Sequence, residues 1–235
     1  MGERILCRCL NAQYEDDEGR QPAWSELRLH LEVQETQCEG WNRLLSLIDE
    51  AAADGRENFS PGSALGADLW RQIVVLPPTI SRLKQVKRLE LYGSSLVRIP
   101  PEIGEMSALE EFDPYTSYRL HWFPYEITRC RHLKQSRIST RALYGNHKYR
   151  PPFPRLPQGE ETLVPSICSV CGGAFTHGMP HQFWVSLRVA KDVLPLLVHA
   201  CSDECVVRLP EGAKNYIQKP HKGGLHIAQP EASYL

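Results

Sequence analysis

Apolar positions in the middle of this chain follow one recurring pattern. The stretches read IVVLPPTISRLKQVKRLELYGSS from Ile73, LVRIPPEIGEMSALEEFDPYTS from Leu96, and LHWFPYEITRCRHLKQSRIST from Leu120. Ile73, Leu96, Leu120 and Leu143 open successive units at spacings of 23, 24 and 23 residues. Leu76, Ile99 and Phe123 each precede a proline, and Ile80, Ile103 and Ile127 follow it by three residues. A Leu-x-x-Leu-x-Leu core then begins at Val86, Leu109 and Leu133 and continues through Leu89/Leu91, Phe112/Pro114 and Ser136/Ile138. A unit of this length cannot bury its own apolar face, so the pattern predicts units stacked on one another. The third copy is the weakest, with Ser136 in a leucine position, and Pro114 predicts irregular pairing because proline cannot donate to a ladder.

Other periodicities flank the repeats. ERILCRCL (3–10) and SELRLHLEV (25–33) alternate and predict an antiparallel hairpin, with Leu27, Leu29, Leu31 and Val33 on one face. Cys7 and Cys9 would share a strand face there as buried thiols. Thr36-x-x-Glu39 has the form of a capping box ahead of a helix carrying Trp41, Leu44, Leu45, Ile48 and Ala52, stopped at Asp54-Gly55. With ALGADLWRQI it predicts a helical cap over residues 35–72, because an open stack end exposes core. Residues 148–163 are rich in proline and read as an extended linker.

The repeat resembles the leucine-rich repeat family, in the form with a Pro-Pro-x-Ile step found in plant and bacterial members. The likeness spans 73–146, and the family's turn asparagine is replaced by Ser94 and Ser117, then by Thr140 or Arg141. It implies an α/β fold: a short leucine-rich-repeat solenoid of about three repeats, with an N-terminal β-hairpin (1–34) and the helical cap before it. It also implies a concave sheet lined by Arg88, Glu90 and Tyr92; Glu111, Asp113 and Tyr115; and Gln135, Arg137 and Ser139. Mixed charge with tyrosines suits protein recognition.

Past the linker, Cys168-x2-Cys171 is followed by Gly172-Gly173; 29 residues separate Cys171 from Cys201, and Cys201-x3-Cys205 closes a set of four. Glycines let the first pair fold back on itself. QFWVSLRVA and VLPLLVHA predict two strands, and Ser202 predicts a helix start that puts Cys201 and Cys205 about one turn apart. The arrangement resembles the treble-clef zinc fingers. That likeness implies that Cys168, Cys171, Cys201 and Cys205 bind one tetrahedral zinc within a small α+β module over 164–215, ahead of a tail at 216–235. Four buried thiols, two disulfides, or a set in which His177, His181 or His199 replaces a cysteine are the alternatives; the first two histidines otherwise read as polar surface.

Composition narrows the function. Four thiolates close a metal shell, whereas a catalytic zinc keeps a place for water, so the metal is expected to be structural. No phosphate loop, nucleophile elbow or H-E-x-x-H motif is present, and no enzymatic activity is expected. No signal segment is read after Met1, and the apolar stretch Val193–Val198 is too short to span a bilayer, so neither secretion nor a membrane partner is expected. Eight cysteines in such a chain suit thiols or metal in the cytoplasm. Net charge is −1, yet residues 1–69 hold fourteen acids against six bases, while 127–159 hold eight bases and no acid. The expected function is a non-enzymatic protein-interaction module. The alternative is a nucleic-acid-binding adaptor using the basic stretch 129–155 and the zinc module.

Overall fold

The computed structural model describes residues 29–156, 163–175 and 180–231. It is a mixed α/β structure with few helices, one parallel sheet and one mixed sheet. Helix α1 (Glu39–Asp54) buries Leu44, Leu47, Ile48 and Ala51 and ends on Gly55, whose left-handed φ of 68° lets its N–H reach the Ala51 carbonyl. Its N-cap is Cys38, with no side-chain capping bond, so the expected box at Thr36 does not form. Glu35 takes the Gln37 N–H instead.

The copies meet in register along the parallel sheet. Its strands β1 (Asn58–Phe59), β2 (Arg88–Glu90), β3 (Glu111–Asp113) and β5 (Gln135–Ser136) lie in that order. Leu89 pairs with Phe112, and Phe112 with Ser136, so the sequence periods of 23 and 24 are also the ladder's register. β3 stops at Asp113, one residue before Pro114, and β5 keeps two residues. Opposite the sheet, each proline step winds a short 3-10 turn: Pro78–Arg82, Pro101–Glu105 and Tyr125–Arg129. Ile80, Ile103 and Ile127 point inward from these turns at 1% exposure or less. Each such burial is worth about 1.5–3 kcal/mol. Ser94 and Ser117, in the turn positions, are buried and bonded to each other at 2.6 Å, and the Ser117 hydroxyl donates to the Leu91 carbonyl.

The third copy departs from the series. Its Phe123–Pro124 segment, β4, joins a second sheet in the order β4-β7-β6, pairing in parallel with β7 (Asp192–Ala200). β6 (His181–Val189) and β7 form a nine-residue antiparallel hairpin. One core cluster therefore runs unbroken from Leu44 through the copies to Val185, Leu196, Cys168 and Cys205.

Two flanking segments differ from expectation. Residues 29–33 lie outside both sheets, and the expected partner strand with Cys7 and Cys9 lies outside the described residues. In place of a ladder, the carbonyls of His30 and Glu32 accept from the Arg98 guanidinium, and the Glu32 carboxylate pairs with Arg119. Over residues 151–156 the Pro-rich stretch is extended but mostly not solvated. Phe153 and Leu156 are buried with Trp122, Tyr144 and Trp184, and the Trp184 indole N–H donates to the Pro154 carbonyl at 3.0 Å. Its aromatic and leucine side chains lose apolar exposure by packing there, which a polar linker would not. The tail packs too, through the backbone bridge between Trp184 and His221.

Candidate metal centre and exposed sheet face

The four cysteines converge from two loops held together by backbone bonds. The Cys168 N–H donates to the Gly173 carbonyl and the Gly172 N–H to the Cys168 carbonyl, closing a tight turn in which Gly172 takes φ 73°. Ser169 fixes this turn to the end of β7: its N–H donates to the His199 carbonyl and its hydroxyl accepts from the His199 N–H at 3.0 Å. Cys201 follows β7 directly. Ser202 then caps helix α2 (Asp203–Val207) by accepting from the Cys205 N–H, which turns Cys205 inward.

All four sulfurs lie within 4.8 Å of one another, and the Cys171–Cys201 and Cys201–Cys205 separations are both 3.6 Å. A tetrahedron of Zn–S bonds of about 2.3 Å has edges of about 3.8 Å, so the spacing fits one thiophilic ion. The described cysteines are free thiols rather than disulfides. Burial alone would raise the pKa of Cys168. The backbone N–H groups of Cys171, Val170 and Cys201 reverse this, and the thiol falls to about 6. Cys201 is pushed up to about 12 by hydrogen bonds to Cys171, Cys205 and Cys168. Four thiols this close cannot all ionise beside one another without a cation among them. The cluster could hold a metal ion.

Neither described histidine joins the cluster. His181 Nδ1 is paired with Asp203 at 3.0 Å, and His199 Nε2 faces the Gln182 amide at 3.1 Å. Burial drops the His199 pKa to about 4. His177 lies outside the described residues.

The expected binding row lies on the parallel sheet and just beyond it. Leu89, Leu91 and Phe112 point into the core, and the alternate residues point out. Tyr92 and Tyr115 are 54% and 40% exposed, with ring centroids 6.1 Å apart. The Arg137 guanidinium lies 5.8 Å and 5.2 Å from those centroids. Asp113 differs from the rest of the row: it is buried, because Arg137 covers it and donates to it from Nε at 2.9 Å. Arg88 lies between Glu90 at 2.7 Å and Glu111 at 3.6 Å. A cavity of about 410 Å³ opens beside Tyr92, with Ser60, Trp70 and Glu90 in its wall. Ser60 and Trp70 were legible in the sequence only as parts of the cap.

The basic stretch does not form one free strip. Arg129 donates to the carbonyls of Cys168 and Ser169, Lys134 pairs with Glu110, and Arg150 donates to the carbonyls of Asn215 and Glu231. Among the described residues no helix is long and apolar enough to cross a membrane. The chain matches no family model and no curated protein.

Proposed function

We propose that this chain is a non-enzymatic protein-interaction scaffold: a short leucine-rich-repeat solenoid, capped by α1 at one end and closed at the other by a structural zinc module. In-register stacking at the repeat period supports the first part. Cys168, Cys171, Cys201 and Cys205 would hold the zinc, which supplies a fixed tetrahedral node and neutralises the thiolates. With four thiolate ligands the shell has no open position for a reacting water.

The observation that carries the binding reading is the exposed Tyr92–Tyr115–Arg137 cluster. Tyrosine and arginine are enriched among the residues that dominate interface energetics: tyrosine offers a large, rigid contact area with few lost rotamers and a polar tip, and arginine a planar fork of donors. Here Asp113 and the two rings hold Arg137 in place before any partner arrives. The alternative use of the basic stretch on nucleic acid has less support, because Arg129, Lys134, Arg137 and Arg150 already serve protein contacts.

The test is affinity capture from native extract, comparing the intact chain with the Tyr92→Ala/Tyr115→Ala pair and with Arg131→Ala as an exposed control. Specific partners should be lost from the tyrosine variant alone. An identical captured set from all three would remove this face from consideration. Metal analysis should find one zinc per chain, lost when Cys171 and Cys201 are both changed to serine.

A further inference from the structure

A second concave site lies where three distant segments meet. The end of the third copy, the β6–β7 turn and the C-terminal tail enclose a cavity of about 300 Å³. Arg150, Arg188, Lys191 and Lys214 line it, against a single carboxylate, Asp192, leaving an excess of three positive charges. Asp192 is itself engaged, accepting from the Ser136 hydroxyl at 2.6 Å.

Along the parallel sheet several cations each meet a carboxylate, as in Lys84–Glu105, Lys87–Glu57 and Lys134–Glu110. In this cavity four cations gather around one carboxylate instead. Among the described residues none of the four cavity cations has a carboxylate within ion-pair distance. Arg150 is anchored through both terminal nitrogens to the carbonyls of Asn215 and Glu231, while its Nε is buried without a partner. Among the described residues Arg188 makes one hydrogen bond, from Nη1 to the Lys191 carbonyl, so most of its five N–H donors remain available. Tyr216 also lines the wall, close enough to Arg150 and Arg188 for both to act on its phenol.

A concave wall of one sign focuses its field on whatever enters. Guanidinium forks match phosphate oxygens two at a time, and lysines add point charge. The volume is at the lower end of small-molecule sites, enough for a phosphate with a small organic group attached. A nucleic-acid backbone would need a continuous track of free cations, and Lys134 and Arg137 of the basic stretch are already paired. We propose that this cavity binds a small phosphorylated molecule through its phosphate group.

The test is calorimetric titration of the full chain at low and high salt. The probes are inorganic pyrophosphate, ribose 5-phosphate, unphosphorylated ribose and an oligothymidylate. Pyrophosphate and ribose 5-phosphate should bind, more weakly at high salt, while ribose should not. Arg188→Ala and Lys214→Ala change exposed side chains, and each should weaken binding about tenfold or more. Arg131→Ala, exposed in the basic stretch but outside the cavity, should leave binding unchanged. Circular dichroism of each variant checks that the fold is intact. No phosphate-dependent binding at low salt would overturn the proposal, as would binding that survives the Arg188→Ala/Lys214→Ala pair. Oligothymidylate affinity that grows with length and falls equally in Arg131→Ala would also overturn it, in favour of a nucleic-acid surface.

Discussion

Glu126 is enclosed at 2% exposure in the third copy's proline step, and neither carboxyl oxygen has a hydrogen-bond partner among the described residues. Burial pushes its pKa up. The nearby Ser169 hydroxyl and Arg129 offset part of the rise without meeting hydrogen-bond geometry, and Glu102 adds to it. A carboxyl whose folded pKa is raised binds its proton more tightly when folded. Its penalty is therefore absent below the unfolded pKa and grows as pH rises through the folded one. Glu126→Gln keeps the shape and removes the ionisation. It should stabilise the chain by about 1–3 kcal/mol at pH 8, where an unpaired buried charge is dearest. The gain should shrink to nothing below about pH 4. Urea melts of the two proteins across that range would check it, and a difference independent of pH would contradict the assignment. At this scale the sequence is least legible. Glu126 is one more polar residue in a repeat, and its burial follows from Ser169, forty-three positions away, closing over it.

Between elements, the closest approach is at Gly104. A Cβ built there would meet the Glu126 carbonyl oxygen at 2.4 Å and the Glu126 Cβ at 2.9 Å, so the second and third proline steps are pressed together backbone to backbone. Gly104→Ala should push these steps apart and destabilise the chain by about 1–3 kcal/mol. Thr128→Ala, at the matching position of the next copy, loses only an exposed local bond to the Tyr125 carbonyl and should cost a fraction of that. Thermal melts of the two variants would compare them, and equal shifts would show that the steps are not in tight contact. The element scale is where the sequence was most informative, for a physical reason. Repeats at 23 and 24 residues set the register of the β2–β3 and β3–β5 ladders, and Ile80, Ile103 and Ile127 announce it wherever a turn must face the core. The cysteine spacing was readable because tight turns and helix starts dictate which thiols can meet. The N-terminal segment was misread because alternation alone does not separate a paired strand from a strap. His30 and Glu32 are tied by Arg98 and Arg119, residues far along the chain. The proline-rich stretch was misread likewise, since its composition does not reveal that Trp184 waits to pack against it.

For the whole molecule the consequence is that the four-cysteine cluster and the repeats share one core. β4 belongs to the third copy yet pairs with β7 of the cysteine-bearing half, Ser136 is bonded to Asp192, and Arg129 donates to the carbonyls of both Cys168 and Ser169. The third copy offers only a two-residue strand to its neighbour, so its order depends on the hairpin and thiolate turn laid against it. If the four cysteines hold a metal as proposed, removing it would leave four crowded thiols whose reprotonation loosens that turn, and the loss would pass to the copies through Arg129 and β4. A strong chelator should therefore lower the melting temperature of the entire chain in a single transition. In hydrogen exchange, amides of the third copy should lose protection together with those of β7. Cys171→Ser, which removes an exposed ligand without opening a core cavity, should reproduce the effect. Because the ligands must be deprotonated to bind, metal retention should weaken as pH falls and protons compete for the sulfurs. If the repeat amides kept full protection after the metal was stripped, the two halves would be independent domains, and the covering role assigned here to the cysteine module would be wrong.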